Sequence, residues 1–316
     1  MSTARRFQTK GEAAQFISND IKAFVSTSPA NHMAASPGHP IFDEPLVQFA
    51  DAEDPIFTEF KSIINPAHLT PQEALAQALG KRPSEVPARL SVISWILPIS
   101  ATIRESNRAR KLTPSRLWSH SRWYGEKFGD ALRSHVVAVL TGMGYSAAAP
   151  MSQPYFHIEY KNIDERGYYS NWSERHMAYA AGLGTFSLSD GLITELGVAH
   201  RCGSVVTDLG LPASPRTART PHSNCLFYVN HKCNVCVSRC PGDAISEQGH
   251  DKARCHQYIG TRLHRLLQKY EVGTVGCGLC QTKVPCESHN PAKNLTGRCD
   301  PGTGASCWKP PPTPRT

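Results

Sequence analysis

The sequence predicts a mixed α/β (α+β) domain followed by a cysteine-rich C-terminal module. Three observations carry that expectation. Short apolar, β-branched runs alternate with stretches of helical spacing through the middle of the chain. Eight of the eleven cysteines crowd into residues 225–286. Between these regions, Pro212 to Pro221 is a loop rich in Pro, Ser, Thr and Arg that reads as a linker. The expected organisation is a mostly helical N-terminal region over 1–89, an α/β domain over 90–220, the cysteine-rich module over 221–298 and a Pro-rich tail over 299–316.

The elements follow in order. Gly11 to Val25 has amphipathic spacing, and Pro37, Gly38 and Pro40 then mark a loop. Thr70-Pro71-Gln72-Glu73 is a helix start, with a capping threonine, proline at the first position and glutamate three residues after the cap. It leads into Ala74–Leu79 and stops at Gly80. Leu90 to Leu97 is apolar and β-branched and ends at Pro98, the pattern of a buried strand. Pro114 to Leu140 has helical spacing behind Thr113 as N-cap, and ends at Gly142 and Gly144. Leu192–Glu195 and Cys202–Asp208 read as further strands.

Composition narrows the function classes. Hydrophobic residues make up 40% of the chain, enough for a core that needs no covalent staples. No apolar run has the length of a membrane span. Arg5-Arg6 raises the question of an export signal, but the segment behind it, Gly11 to Asp20, is mixed and polar, so the chain is expected to be cytoplasmic. An odd number of cysteines without a secretory signal points to metal or redox chemistry rather than disulfides. The net charge is +8, and between Arg201 and Arg298 there are 13 Lys/Arg against 6 Asp/Glu. Basic surroundings suit an anionic thiolate-bound cluster and the docking of an acidic electron donor such as a ferredoxin or flavodoxin. The absence of interleaved aromatic and basic residues disfavours a nucleic-acid partner.

The cysteines supply the chemistry. Cys233-Asn-Val-Cys236-Val-Ser-Arg-Cys240-Pro241 matches the last three cysteines and the proline of the ferredoxin run C-x2-C-x2-C-x3-C-P, in which the fourth cysteine serves the other cluster. Asn230 stands at the first position, and Cys225, five residues upstream, could fill the gap. A second group reads Cys277-Gly-Leu-Cys280-Gln-Thr-Lys-Val284-Pro285-Cys286, with Cys286 replacing the ligand expected at Val284. Cys255 lies between the groups at the start of an expected helix. The pattern supports two [4Fe–4S] clusters, one on Cys225, Cys233, Cys236 and Cys286, the other on Cys240, Cys255, Cys277 and Cys280. The competing reading is a four-thiolate zinc site on the two C-x2-C pairs, which would leave Cys240 and Cys255 without a role. Cys202, Cys299 and Cys307 are left over, Cys202 as a small strand hydrophobe.

This cysteine order, together with Ser173-Glu174-Arg175-His176 running into Ala181-Gly182-Leu183-Gly184 and the stretch Gly203 to Pro212, resembles the cobalamin-dependent iron–sulfur reductases, the group of epoxyqueuosine reductase and the reductive dehalogenases. The Trp95 run and Ser121-Arg122-Trp123-Tyr124 also look like the family's central strand and following helix, and the likeness extends roughly from Leu90 to Asn290. It implies a nitroreductase-like, corrinoid-binding α/β domain carrying a ferredoxin-like two-cluster module, with electrons passing through the clusters to cobalamin to reduce a substrate.

The resemblance also implies site residues. Glu174, Arg175, Gly182 and Gly184 are the cofactor-binding candidates; a structural salt bridge would explain Glu174 and Arg175 equally, and a helix stop is the alternative for the glycines, which the resemblance reads as allowing close approach to the corrin. Tyr168 falls where epoxyqueuosine reductase has its proposed proton-donating aspartate, and reductive dehalogenases are thought to use a tyrosine. Tyr168, its neighbour Tyr169 and His176 are therefore the catalytic candidates, with pocket-wall aromatics and a merely hydrogen-bonded histidine as the alternatives. The expected activity is reduction of a small organic molecule. A non-catalytic electron-transfer or corrinoid-handling protein is the first alternative and tRNA epoxyqueuosine reduction the second. Epoxyqueuosine reductases commonly carry a C-terminal helical-repeat domain for tRNA; with a Pro-rich tail following the last cluster cysteine, a tRNA substrate is expected to be disfavoured.

Overall fold

The structure, a computed structural model, describes residues 7–161 and 167–295. Arg5-Arg6, Cys299, Cys307 and the tail expected over 299–316 lie outside the described residues. In chain order the elements are α1 (Lys10–Thr27), β1 (Leu46–Asp51), α2 (Ile56–Ile63), α3 (Pro71–Ala78), β2 (Ser91–Pro98), α4 (Ala101–Arg108), α5 (Arg116–Gly142), β3 (Ala147–Ala148), β4 (Ile158–Glu159), β5 (Tyr169–Ser170) and α6 (Glu174–Ala180). They continue as β6 (Gly184–Phe186), β7 (Leu192–Thr194), β8 (His200–Thr207), α7 (Leu226–Asn230), α8 (Val235–Ser238), β9 (Ile245–Ser246), β10 (Gly249–His250), α9 (Lys252–Tyr258) and α10 (Leu266–Tyr270). No helix of the described residues is long and apolar enough to cross a membrane.

The chain divides into two compact units. The described residues of 7–100, 123–183 and 200–216 form one, and those of 101–122, 184–199 and 217–295 the other. Of the region expected over 1–89, the described residues 7–89 fall in the first unit, whose sheet has β1 as an edge strand.

The sheet of the first unit has the order β1-β2-β8-β3, every neighbour antiparallel. Every residue of β2 is buried, Ser91 and Ser94 included, as a largely apolar run demands of a strand covered on both faces. Leu46 pairs with Ile96 and Trp95 with Gly203; the indole fills the space a side chain at position 203 would need. Helix α1 buries Ala13, Ile17, Ile21 and Val25, a single stripe at fourfold spacing. Helix α5 answers with Phe128, Leu132, Val136 and Leu140. Phe24 of α1 lies 5.9 Å from the Phe128 ring, and Asp20 pairs with His135 at 2.8 Å. The α3 start behaves as read: the Glu73 amide donates to Thr70 Oγ1 at 3.3 Å and the Glu73 carboxylate accepts from the Thr70 amide at 2.8 Å.

In the second unit, α4 and the start of α5 join the β6–β7 and β9–β10 hairpins and the short helices that carry the cysteines. Leu188, Ile193, Val198, Cys225, Ile245 and Val284 form its buried apolar cluster.

Candidate functional site

Local structure places the cysteines of the second unit on short, heavily constrained segments. Cys225 is the N-cap of α7, and the chain then reverses through His231 in the left-handed region, at φ 55°, before Cys233. Cys236 lies within α8 and Cys255 within α9. Between Cys277 and Cys280, Gly278 has φ +60° and a Cβ there would fall 2.1 Å from the Trp118 indole, so the turn requires glycine twice over.

The structure brings eight of these thiols into two sets. Cys225, Cys233, Cys236 and Cys286 line one pocket, walled by residues such as Leu188, Ile193 and Val284. Burial raises the Cys225 thiol and pushes Cys236 up to about 12, and Cys236 and Cys286 also feel the other thiols of their set. Cys277, pushed up to about 11, feels burial first and then Cys255 and Cys240, and Cys280 is raised well above its ordinary value by burial and by Cys277, Cys255 and Cys240. Cys280 also feels Cys236, which sets the two groups side by side.

The Ala244 amide donates to Cys240 Sγ at 3.3 Å, and the backbone at Leu188, Phe227 and Tyr228 offsets part of the rise at the Cys225 thiol, as the backbone at Leu279 does at Cys277. Such N–H···S bonds are the support that cluster thiolates use. Among the described residues no group of three or more His, Cys, Asp or Glu side chains converges closely enough to hold a single metal ion. The donor set, four reduced thiols around an apolar pocket beside a second set, fits a group with several metal centres that keeps its ligands apart.

Three further features went unread in the sequence because each is a long-range contact. Arg239 donates through Nε to the carbonyls of Leu279 at 3.2 Å and Thr282 at 3.0 Å, and through Nη1 to the carbonyl of Arg110 at 2.7 Å. It thereby ties the Cys236–Cys240 segment to the Cys277–Cys280 turn. Glu287, 3% exposed, accepts from Arg104, Arg108 and the Lys283 amide. His250 pairs through Nδ1 with Asp190 at 3.2 Å. Burial works against the His250 cation, but hydrogen bonds to Asp190 and Cys255 prevail and push its pKa up to about 9.

The remaining candidates lie in the first unit, and several are already engaged there. Glu174 turns its carboxylate inward, accepting from Ser204 Oγ at 2.5 Å, while Oε1 has no hydrogen-bond partner in the structure. Burial raises its pKa to about 7 against the pull of Arg133. Arg133 of α5, rather than the adjacent and exposed Arg175, is thus its charge partner. A Cβ at Gly182, where φ is +78°, would meet the Pro215 carbonyl at 2.7 Å, which accounts for glycine there without a ligand.

Gly184 opens β6 in the second unit, and a Cβ there would meet the Ile193 carbonyl at 2.4 Å. In the first unit, His176 shares a 2.8 Å hydrogen bond with Ser173 Oγ and meets the Phe60 ring edge-on at 4.9 Å. Tyr169 sits on β5 opposite Glu159, and Tyr168 meets Tyr160 edge-to-face at 5.1 Å; both tyrosines are half-buried. Cys202 lies on β8, 3.6 Å from His200 Nδ1, its thiol pushed up to about 12 by burial. Of the first-unit candidates, Arg175 is exposed, while Tyr168, Tyr169, Glu174, His176 and Gly182 are all half-buried.

No protein-family model and no curated protein matches the chain. Among solved structures it is similar to a selenomethionine-labelled epoxyqueuosine reductase, with a TM-score of 0.50 and 13% identity over 88% of this chain and 66% of that one. It is also similar to an epoxyqueuosine reductase with an epoxyqueuosine-modified tRNA stem loop, with a TM-score of 0.47 and 16% identity over 88% of this chain and 66% of that one. A third similar structure is a catabolic reductive dehalogenase in complex with 3-bromo-4-hydroxybenzoic acid, with a TM-score of 0.49 and 16% identity over 92% of this chain and 39% of that one. The chain thus spans just under two thirds of the length of the reductase in the first comparison, 66%. Over that stretch it has the mixed α/β fold of epoxyqueuosine reductase.

Proposed function

We propose that the chain is an iron–sulfur oxidoreductase of the corrinoid-dependent kind, carrying two [4Fe–4S] clusters in its second unit. The observation that carries this reading is the pair of thiol sets, Cys225/Cys233/Cys236/Cys286 and Cys240/Cys255/Cys277/Cys280, adjoining through Cys236 and Cys280. Two neighbouring clusters provide a path for sequential one-electron transfer. Their thiolates would be supported by backbone amides, of which Ala244 already donates to Cys240, and Arg239 would keep the two cysteine runs in register.

The cobalamin reading rests on the sequence resemblance and the likeness of fold. Cobalamin, when bound, supplies low-potential two-electron chemistry at cobalt. In the first unit, Tyr168 and Tyr169 are the residues proposed to present a phenolic proton to a small organic substrate, with Arg175 available for a polar group of the cofactor. Glu174, Gly182 and His176 act there through the fold that surrounds the site. An acidic donor such as a ferredoxin or flavodoxin would supply the electrons, drawn by the basic second unit.

A second reading, reduction of epoxyqueuosine in tRNA, is favoured by the likeness to epoxyqueuosine reductase at a TM-score of 0.50. Restoration of queuosine in a strain lacking that reductase would establish it. The primary test is metal analysis after anaerobic purification and reconstitution with iron, sulfide and cobalamin. About eight iron atoms and one cobalt per chain are expected. Iron without cobalt would move the reading to an electron-transfer protein, and zinc in place of iron would end it. With a substrate in hand, Tyr168→Phe and Tyr169→Phe that both leave turnover intact would remove the tyrosine donor.

A further inference from the structure

We propose that the exposed cations of the helical run over 252–270, with the bend at Lys111 and Leu112, form the docking face for an acidic electron-transfer protein, and that electrons enter through the Cys240/Cys255/Cys277/Cys280 set behind it; the proposal rests on the iron–sulfur reading above.

From Lys252 to Tyr270 the sequence has five Lys/Arg and no Asp or Glu. The segment is a nearly continuous helical run, in which α9 passes through a π-turn at Ile259–Leu263 into α10, and His264 and Arg265 between them keep helical backbone angles. Leu263, Leu266 and Tyr270 are buried, and each is preceded by an exposed cation: Arg262, Arg265 and Lys269. Spacings of three and four residues put these cations on one flank of the run. Arg254 and Arg116 nearby are paired, with Asp251 at 3.9 Å and Glu271 at 3.2 Å. Among the described residues no carboxylate pairs with Lys111, Arg262, Arg265 or Lys269.

The Lys111 bend is pinned to the same helical run and to the same cysteine segments. The Arg110 carbonyl before it accepts from Arg239 at 2.7 Å, and the Leu112 carbonyl after it accepts from the Tyr258 hydroxyl at 2.5 Å. Arg239 adjoins Cys240, and Tyr258 lies three residues beyond Cys255 on α9. A Cβ at Gly242 would fall 2.8 Å from Tyr258 Cβ, so this tyrosine also lies against the turn that follows Cys240. At the far end of the run, Tyr270 donates to the Pro114 carbonyl at 3.3 Å. Bend and helix thus make one surface beside a single cysteine set, and Leu112, 68% exposed, adds an apolar contact to it.

Uncompensated cations next to an exposed apolar side chain suit an acidic protein surface, since charge steers the encounter and a small apolar contact seats it. A nucleic-acid strand would need aromatic rings to stack on, whereas Tyr270 is buried and Tyr258 is half-buried against Gly242. Each encounter moves one electron from the reduced donor to the oxidised cluster, with no bond made and no proton transferred.

The test uses the full chain, reconstituted with iron and sulfide, and a reduced acidic plant-type ferredoxin as the donor. Stopped-flow absorbance follows cluster reduction, and photoreduced deazaflavin serves as a small donor that needs no docking. Arg262→Glu/Arg265→Glu should slow reduction by ferredoxin about tenfold or more at low salt, with the gap closing as salt rises, and leave reduction by deazaflavin unchanged. Lys111→Glu should act in the same direction. Lys232→Glu, exposed beside Cys233, changes the charge as much as Lys111→Glu and should have little effect. Carbodiimide should cross-link Lys111 or Lys269 to carboxylates of the ferredoxin.

Wild-type ferredoxin rates in both Arg262→Glu/Arg265→Glu and Lys111→Glu, with iron retained, would overturn the docking face and leave the cluster reading intact. An equal loss in Lys232→Glu, cross-links confined to other lysines, or a wild type reduced by deazaflavin but not by ferredoxin would do the same. If the double variant fails to hold its iron, Lys111→Glu decides. Variants that keep the ferredoxin rate but no longer bind an RNA stem loop would assign the face to nucleic acid and overturn the proposal. Wild-type protein that takes up no iron would overturn the cluster reading and this proposal together.

Discussion

Arg108 donates through Nε to both carboxylate oxygens of Glu287, at 3.0 and 2.9 Å, one residue beyond Cys286. The carboxylate also accepts from Arg104 at 3.2 Å and from the Lys283 amide at 2.6 Å, so it closes its own turn while pairing with two guanidinium groups. The carbonyls of Cys286 and Glu287 accept from the Val198 and Ala199 amides at 2.8 and 3.2 Å, which ties the turn to the bend that follows β7.

Removing this carboxylate should therefore act on Cys286 as well as on stability. Glu287→Ala removes the carboxylate that pairs with Arg104, whose side chain is only 15% exposed. Loss of one member of a buried pair costs about 3–5 kcal/mol. The lower end is expected, because Arg108 is 44% exposed and water can solvate it. Glu287→Gln keeps an acceptor for the Lys283 amide and should cost less. Urea unfolding gives the stabilities. Iron bound per chain should fall in the same order, and undiminished iron in Glu287→Ala would separate this turn from cluster binding.

Single cysteine substitutions divide the proposed centres. Cys225→Ala removes a thiol that lines the pocket shared with Cys233, Cys236 and Cys286, and Cys255→Ala removes one from the other set. Each variant should lose one cluster and keep the other, with iron falling from about eight to about four atoms per chain. The double variant should hold almost none. A full iron complement in Cys225→Ala would mean that another group, such as one near Asn230, serves in its place.

His68 gives the first unit a pH dependence of defined sign. Its Nε2 accepts from the Ser173 amide at 3.1 Å and its ring stacks on Trp172, while burial and then Lys61 lower its pKa from 6.5 to about 4. The folded state therefore binds the proton less readily than the unfolded chain. Its contribution is complete above about pH 6.5 and is lost as the pH falls toward 4, up to roughly 3 kcal/mol for a shift of this size. His68→Gln retains an acceptor for Ser173 but has nothing to protonate. Its stability relative to the wild type, measured by urea unfolding, should rise steadily from pH 7 to pH 4. Parallel pH profiles would show that His68 is not the responsible group.

Much of the local structure could be read directly from sequence, because its signals are short-range. The Thr70–Glu73 capping box, the buried run that became β2 and the fourfold stripe of α1 all appear where nearest-neighbour chemistry puts them. The cysteines were legible as ligand-type residues through their spacing. Strand β1 was not, because its six residues lie between helices and prolines and their burial depends on pairing with β2, far along the chain. The division into units was equally hidden, since each is assembled from several separated segments. Asp190–His250 and Arg108–Glu287 join residues 60 and 179 positions apart, and no local pattern marks either pair.

Glu174 tests whether its place in the first unit is structural. Its folded-state pKa, raised from 4.5 to about 7 by burial, makes it the converse of His68. A carboxyl that holds its proton more tightly when folded contributes fully below about pH 4.5, and that contribution is lost as the pH rises through 7. Glu174→Gln is uncharged throughout and can still accept from Ser204. The two proteins should be equally stable near pH 4.5, and the variant should be more stable by about 1–3 kcal/mol at pH 8. The outcome turns on Arg133, which is 2% exposed and also bound to Asp130 at 2.8 Å. If the attraction between Glu174 and Arg133 exceeded the cost of burying the carboxylate, the variant would be the less stable protein at pH 8. Chemical denaturation at the two pH values distinguishes these cases, and a variant with wild-type stability but no bound cobalamin would instead place Glu174 at the cofactor.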